Sequence, residues 1–258
     1  MAKGLKIAAT ALGAMLAFTA WMIAYLPAEL LMRLPEPYTP FPMRQLQGTV
    51  WDAHAEALDL PRLSLPSVGW QATFWPLLSG RLEAEGWFGA PETSRHGRAK
   101  ALVSNNGHSI RLEPFAAQLP LTDLLALLAP QFGLPLEGEI RVNGAWASME
   151  QQRLVGLEGE LRAARLLLKG TGMAIPLGEL AARAETEGQL IRLTVRDVES
   201  PLEVRLDGAI QSSDGLWHLR GVVKGRTPEV EPVVNLLKMA GGGPEDGGAR
   251  INLNGRLP

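Results

Sequence analysis

The side chains best suited to acid–base or metal chemistry in this chain are four histidines, at positions 54, 96, 108 and 218. In Asp52-Ala53-His54, an extended strand would place a carboxylate and an imidazole on the same face. Zinc in proteins takes at least three side-chain ligands, so two alone seldom form a site. We therefore interpret Asp52 and His54 as a solvated surface pair.

Sequence motifs that hold nucleophiles, metals or phosphates are absent. The chain contains no Gly-x-Ser-x-Gly and no His-Glu-x-x-His, and its glycine-rich stretch GGGPEDGG (241–248) lacks the lysine of a phosphate-binding loop. There is no cysteine, and a net charge of −2 offers no basic surface for nucleic acid. The sequence therefore predicts no catalytic residue, no metal and no cofactor, and the chain is predicted not to be an enzyme.

Five aromatic residues lie close together in the sequence, between positions 70 and 88. Two interpretations are open: these side chains are the core of the first half of the chain, or they line a hydrophobic groove or partner surface. No basic run interleaves with them, which disfavours stacking on nucleic-acid bases. The cluster comprises Trp70, Phe74, Trp75, Trp87 and Phe88.

A repeated phrase, leucine-x-glycine followed by an apolar residue two places on, indicates the elements that carry these side chains. In a strand the leucine, the glycine and the apolar residue share one face, and the glycine leaves a gap between them. The gap can admit another backbone, a bulky neighbour or tight coiling of the sheet. The phrase predicts a mainly β fold, a long coiled antiparallel meander with one apolar face. It occurs as LQGTV (46–50), LEGEI (136–140), LEGEL (157–161), LDGAI (206–210) and LRGVV (219–223).

Periodicity and turn residues predict many strands but only two short helices, 123–129 capped by Thr122 and 228–240 capped by Thr227. With so few helices, the sheet must fold over on itself or leave a groove. The terminal strand 249–257 is a candidate edge, and GGGPEDGG is predicted to be a loop before it. The predicted strands are 45–50, 55–65 (interrupted at Pro61), 67–73, 80–88, 97–103, 109–115, 137–142 (ended by Asn143-Gly144), 154–161, 165–169, 177–184, 189–196, 202–210, 216–224 and 249–257.

The first 26 residues predict a membrane anchor. Residues 7–26 carry no charge and are long enough to span a bilayer as a helix. The alternative, a cleaved signal peptide, has a shorter apolar region and a small-residue cleavage site, and this segment ends in bulky residues. Lys3 and Lys6 favour a cytoplasmic N-terminus. The predicted organisation is an anchor (1–26), a proline-rich linker (27–45) and a β-rich domain (46–258), with two similar halves (46–118 and 134–258) joined by a short helix.

In combination, several motifs resemble the type II secretion system protein N family over essentially the whole chain. One position departs from the family pattern: Ala53 stands where the family often has a glycine. The style of the meander also resembles, more distantly, AsmA-like envelope proteins. The motifs are Leu46-x-Gly48-Thr49-Val50-Trp51, Val68-Gly69-Trp70, Trp75-Pro76-Leu77-Leu78-x-Gly80-x-Leu82, Leu136-x-Gly138 leading to Trp146, the helix 228–240 and a closing Asn-Gly strand.

The resemblance implies a single-pass protein of the Gram-negative inner membrane with a periplasmic β-rich domain. Its implied role is accessory to the export of folded proteins across the outer membrane. Implied partners are the inner-membrane platform subunits, with the outer-membrane secretin as a further candidate. The apolar sheet face leaves a second hypothesis open, a periplasmic module that binds lipid or another hydrophobe in a β-groove.

Overall fold

The computed structural model describes residues 22, 24–33, 42–60, 63–104, 107–128, 135–151, 153–169, 174–239, 243–245 and 247–256. Almost all of the predicted anchor (1–26), and residues 34–41 of the predicted linker, lie outside them. Within the described part, no helix has the length and apolarity needed to cross a membrane. The linker residues Ala28–Arg33 form a 3-10 helix.

Fifteen strands of the described residues form one antiparallel sheet, which confirms the prediction of a mainly β fold. From β3 to β13 every strand pairs with the next in sequence, and the order then ends β13-β15-β14, with β2 beside β3. The pairing of β7 with β8 carries the sheet without a break from one predicted half to the other. The strands are β1 (Met43–Arg44), β2 (Gln47–Gly48), β3 (Asp52–Leu60), β4 (Leu63–Thr73), β5 (Leu82–Phe88), β6 (His96–Ser104), β7 (Ser109–Pro120), β8 (Leu136–Glu150), β9 (Arg153–Lys169), β10 (Ala174–Glu187), β11 (Leu190–Asp197), β12 (Leu202–Gln211), β13 (Leu216–Gly225), β14 (Gly243–Glu245) and β15 (Gly248–Arg256).

Two short α-helices, α1 (Leu121–Leu128) and α2 (Glu231–Met239), follow β7 and β13. Because consecutive strands are antiparallel, both connections leave the same end of the sheet, which we call the helix end. The opposite end, the hairpin end, carries the connections β8–β9, β10–β11 and β12–β13, and a 3-10 helix (Trp75–Ser79) between β4 and β5.

Both helices pack on one face of the sheet, which we call the inner face. The main core joins them to strands β8 to β15, so the sheet curls around them. The curl also brings hairpin turns together, since Arg153 donates to the carbonyl oxygen of Ser213 at 3.1 Å, sixty residues away. The buried residues of the main core are Leu121, Ile140, Ala163, Leu166, Leu177, Leu202, Val204, Val223, Val230, Val233, Val234, Ala249 and Ile251.

Glycines of the repeated phrase allow neighbouring backbones to approach closely. A Cβ at Gly208 would overlap the carbonyl oxygen of His218, and one at Gly221 would overlap that of Arg205. Other glycines receive an aromatic ring from the next strand: the Phe115 ring covers Gly144, directly opposite in register. The same arrangement recurs at Gly69 under Trp87, Gly97 under Phe88 and Gly255 under Trp217. The gaps therefore admit backbone at some positions and bulky neighbours at others.

Four predicted element boundaries are wrong. The predicted strand 55–65 spans two antiparallel strands, since β3 ends at Leu60 and β4 begins at Leu63. Asn143-Gly144 does not end a strand, since β8 continues to Glu150 with Gly144 beneath an aromatic ring. Residues 154–161 and 165–169 belong to the single strand β9, in which Arg165 takes a positive φ of 54° where the register shifts. GGGPEDGG is only partly a loop, because Gly243–Glu245 forms β14 and pairs with β15.

Smaller corrections concern the first strand and the two helix starts. Only Gln47–Gly48 of the predicted 45–50 strand pairs with β3. Helix α1 begins at Leu121, so Thr122 lies within it. Thr227 precedes a 3-10 turn (Pro228–Val230) rather than α2 itself, and its hydroxyl, although buried, finds no hydrogen-bond partner among the described residues.

We expect Gly208→Ala to lower the free energy of unfolding by about 1–3 kcal/mol, because the new methyl group overlaps the β13 backbone. Gly243→Ala is the matched control, since no atom of the described residues lies within 4 Å of its Cβ position. That control should be neutral or slightly stabilising, because alanine restricts the unfolded chain. Urea titration followed by tryptophan fluorescence measures both. Equal effects of the two substitutions would contradict the close-approach explanation.

Candidate functional site

Two rows of paired residues cross the inner face, and we call them the apolar belts. Directly paired residues of antiparallel strands share a face, so each row lies on one side of the sheet. The first belt is Ala53, Trp70, Gly86, Ala99, Phe115, Gly144, Gly159, Ala184, Leu193, Gly208, Leu219 and Leu253. The second is Phe88, Gly97, Ala117, Val142, Leu161, Ala182, Val195, Leu206, Gly221 and Ile251.

The belts are only partly covered. Most of their residues are half-buried rather than buried, and Leu253 is 48% exposed. Nearer the hairpin end, Ile110 and its register partner Met149 also face inward and are 37% and 40% exposed. Helices α1 and α2 cover the inner face at the helix end. Near the hairpin end, Ala184, Ile191 and Ile210 form a second buried cluster on β10 to β12. The inner face is therefore an apolar surface that is buried at the helix end and at this second cluster, and accessible beside Ile110 and Met149 on β7 and β8.

The outer face has the opposite chemistry. Ion pairs span neighbouring strands, as between Arg98 and Glu85, and between Arg196 and Asp207 at 2.7 Å. Their side chains are mostly exposed, so each pair contributes little to stability. Along the belts, charge is thus kept on the outer side, and the belts themselves contain only glycine, aliphatic, phenylalanine and tryptophan residues.

A forked ion pair fixes helix α1 to the sheet. Arg95, in the turn between β5 and β6, donates through Nε to Oδ2 of Asp123 at 2.5 Å and through Nη2 to Oδ1 at 3.1 Å. The Asp123 carboxylate raises the pKa of Arg95, through the hydrogen bond first and through charge attraction second. A bidentate pair of this kind sets orientation as well as position.

A second cluster fixes the chain just before helix α2. Arg226 lies 2.7 Å from Oδ2 of Asp197 and donates to the carbonyl oxygen of Ser200 at 2.9 Å. The other carboxylate oxygen of Asp197 accepts from the backbone N–H of Val204 at 2.8 Å. Burial alone would raise the pKa of Asp197, but the hydrogen bonds from Val204 and Arg226 outweigh it, and the pKa is lowered.

The five clustered aromatic residues do not lie on one surface. Trp70 and Phe88 face inward and belong to the two belts, and Trp70 Nε1 donates to the carbonyl oxygen of Val50 at 2.9 Å. Trp87 lies on the outer face, with its ring over Gly69. Phe74 and Trp75 are in the β4–β5 connection, and Trp75 is 75% exposed.

The motif residues carry structural contacts. Gly48 lies against the backbone of Asp52, Thr49 forms a bridge with Pro27, and the Trp51 ring meets Phe74 edge-on at 5.4 Å. Val50 accepts the Trp70 hydrogen bond.

Further along the chain, Gly138 occupies a register shift between β8 and β9. The Trp146 ring covers Gly156 on the outer face, donates to Glu158 at 2.9 Å and lies beneath the Arg111 guanidinium at 4.8 Å.

The polar residues singled out in the sequence form no reactive constellation. Asp52 and His54 are both exposed on β3. Within the part of the chain that the structure describes, no three acidic or histidine side chains are grouped to hold a metal ion.

A family model described as "Type II secretion system (T2SS), protein N" matches residues 41–252. The chain belongs to this family. The match takes in every strand from β1 to β14 and half of β15, and it confirms the resemblance seen in the motifs. No curated protein and no solved structure matches the chain.

Membership in the protein N family makes the chain a component of the type II secretion system. The family is one of secretion components rather than of enzymes, and a component of this machinery works in contact with its other subunits. The sequence does not predict the belts. The repeated leucine-x-glycine phrase indicates an apolar face, but the strand register is needed to show which copies lie side by side in a row.

We expect Asp197→Asn to lower the free energy of unfolding at pH 7 by about 1–3 kcal/mol, because the Arg226 and Val204 hydrogen bonds lose their charged acceptor. The folded pKa of Asp197 is lowered, so its contribution is present above the unfolded pKa of about 3.9 and is lost as pH falls through the folded value. The variant should therefore lose less stability than the wild type between pH 7 and pH 3. Urea midpoints at both values measure this, and parallel losses would contradict it.

Proposed function

We propose that this protein is an accessory inner-membrane subunit of the type II secretion machinery that aids the export of folded proteins from the periplasm across the outer membrane. In this proposal, residues 1–26 anchor the chain with its N-terminus in the cytoplasm, and the sheet lies in the periplasm. The observation that carries the proposal is the family match over residues 41–252. The uncharged run of residues 7–26 supports the anchor.

The proposed partners are the inner-membrane platform subunits, with the outer-membrane secretin as a further candidate. An exposed sheet with paired charges on one face and apolar belts on the other offers surfaces for such contacts. Its position beyond a single anchor would keep the sheet within reach of membrane-embedded subunits.

We expect deletion of the gene from a strain that uses this pathway to leave secreted proteins in the periplasm, because export loses an accessory subunit. The full chain should restore secretion. A chain whose residues 1–26 are replaced by a cleavable signal peptide should restore less, since it is no longer held beside the platform. The measurement is the ratio of secreted to periplasmic substrate. Unchanged secretion after deletion, with no platform subunit in detergent pull-downs, would contradict the proposal.

A second candidate function, which does not exclude the first, is binding of lipid or another hydrophobe along the inner face. The observation that favours it is the pair of continuous belts without a charged side chain, together with the exposed Ile110 and Met149 on the same face of β7 and β8. An acyl chain bound to this surface would lie along a belt, perpendicular to the strands.

We expect native mass spectrometry of the detergent-extracted full chain to retain phospholipid, and Met149→Glu to lose it, because a carboxylate on the inner face opposes an acyl chain. Leu216→Glu is the matched control, since Leu216 is 50% exposed but faces outward, next in sequence to the inward-facing Trp217. Equal retention by both variants, or a wild-type protein free of lipid, would count against a lipid-binding inner face.

A further inference from the structure

Within the part of the chain that the structure describes, the last strand of the sheet has no partner strand along part of one side. β15 pairs with β13 along its whole length, but β14 covers its other side only from Gly248 to Arg250. Among the described residues, no strand pairs with that side of Ile251–Arg256. An edge of this kind is a template for strand addition.

The pairing of β14 shows which backbone groups of β15 face the edge. Pro244 lies opposite Ala249 and has no N–H, so the bonds between the two strands are made by the flanking pairs that include Arg250 and Gly248. The direction of N–H and C=O alternates along a strand. Asn252, Asn254 and Arg256 therefore turn both groups towards the free edge, as Arg250 does.

We propose that this edge pairs with the same edge of a second copy of the chain, in an antiparallel register centred on Asn254. In that register Asn254 faces its own copy, and Asn252 faces the copy's Arg256. Each of these pairs exchanges both backbone hydrogen bonds. The strand β14 of each copy stays outside the paired segment, because pairing stops before Arg250.

Charge and side-chain size favour a second copy as the occupant. No like charges face one another, since the only charged side chain in the paired segment, Arg256, meets an asparagine. On the inner face Leu253, which is 48% exposed, would lie opposite the copy's Gly255. The sheet already uses this leucine–glycine pairing at Leu193–Gly208 and Leu206–Gly221. The dimer would thus continue the first apolar belt across a two-fold axis, the commonest symmetry of homodimers.

The chain contains no cysteine, so single-cysteine variants of the full-length protein report on this register. In hydrogen-bonded antiparallel pairs the Cα atoms are about 5.5 Å apart, within the range of about 4.4–6.8 Å that a disulfide spans. Under mild oxidation in detergent, Asn254→Cys should form a covalent dimer. His218→Cys, its exposed register partner on β13, should not, and Asn252→Cys should cross-link less because it faces Arg256.

Native mass spectrometry of the full-length wild-type protein in detergent should show a dimer, with twice the mass of one chain. The Asn254→Pro variant should show no dimer. Proline is tolerated on edge strands where the missing N–H faces outward, so the unfolding temperature should stay unchanged. Cross-linking at Asn254→Cys no greater than at His218→Cys would overturn the proposal, whether or not the proline variant folds. A monomer whose edge instead captures a secretion subunit would overturn it as well.

Discussion

Backbone register between consecutive strands is the constraint on which the rest of this structure depends. Side chains alternate between faces, so a slip of one residue in any pair would move a strand's apolar positions to the outer face. Because each strand from β3 to β13 pairs with its neighbour in sequence, most such choices are local, made by one turn and two strands, whereas helix α1 lies between β7 and β8. Twelve strands nevertheless agree on one face in the first belt. Register shifts near Gly138 and Gly178 absorb extra residues without breaking the pattern further on.

Glycine has two roles within that register. At Gly208 and Gly221 it lets adjacent backbones approach more closely than a Cβ would permit, which suits a tightly curled sheet. At Gly144 it leaves room for the Phe115 ring, which occupies the position that a Cβ would take. Both uses reduce the side-chain volume on the inner face. A long sheet can therefore curl around two short helices and still leave a surface that these helices do not cover.

Much of this fold was predictable, and the failures have identifiable causes. Strand content, the apolar face and the two helices follow from alternation, turn residues and the repeated phrase. The end of β8 was misplaced because Asn-Gly is a strong turn signal, whereas here an aromatic ring from β7 occupies the glycine. The aromatic cluster was treated as one group, yet Trp70 and Trp87 face opposite sides. Two residues close in sequence need not lie on the same face of the sheet when a connection such as Trp75–Ser79 separates them. The geometry of that connection sets the register of the two strands, and hence the face of each side chain.

An open sheet built in this way cannot satisfy all of its surfaces by itself. The first edge is covered by the short strands β1 and β2 and by packing of Ala28 and Leu46 against Ala53. Of the described residues, those on the last edge are covered by a strand over three positions, Gly248 to Arg250. The inner face is covered at the helix end, where Asp123 and Asp197 hold the connections in place, and accessible on β7 and β8 beside Ile110 and Met149. The last edge and the apolar belts of this secretion component are accessible. We therefore expect its function to depend on what these surfaces bind.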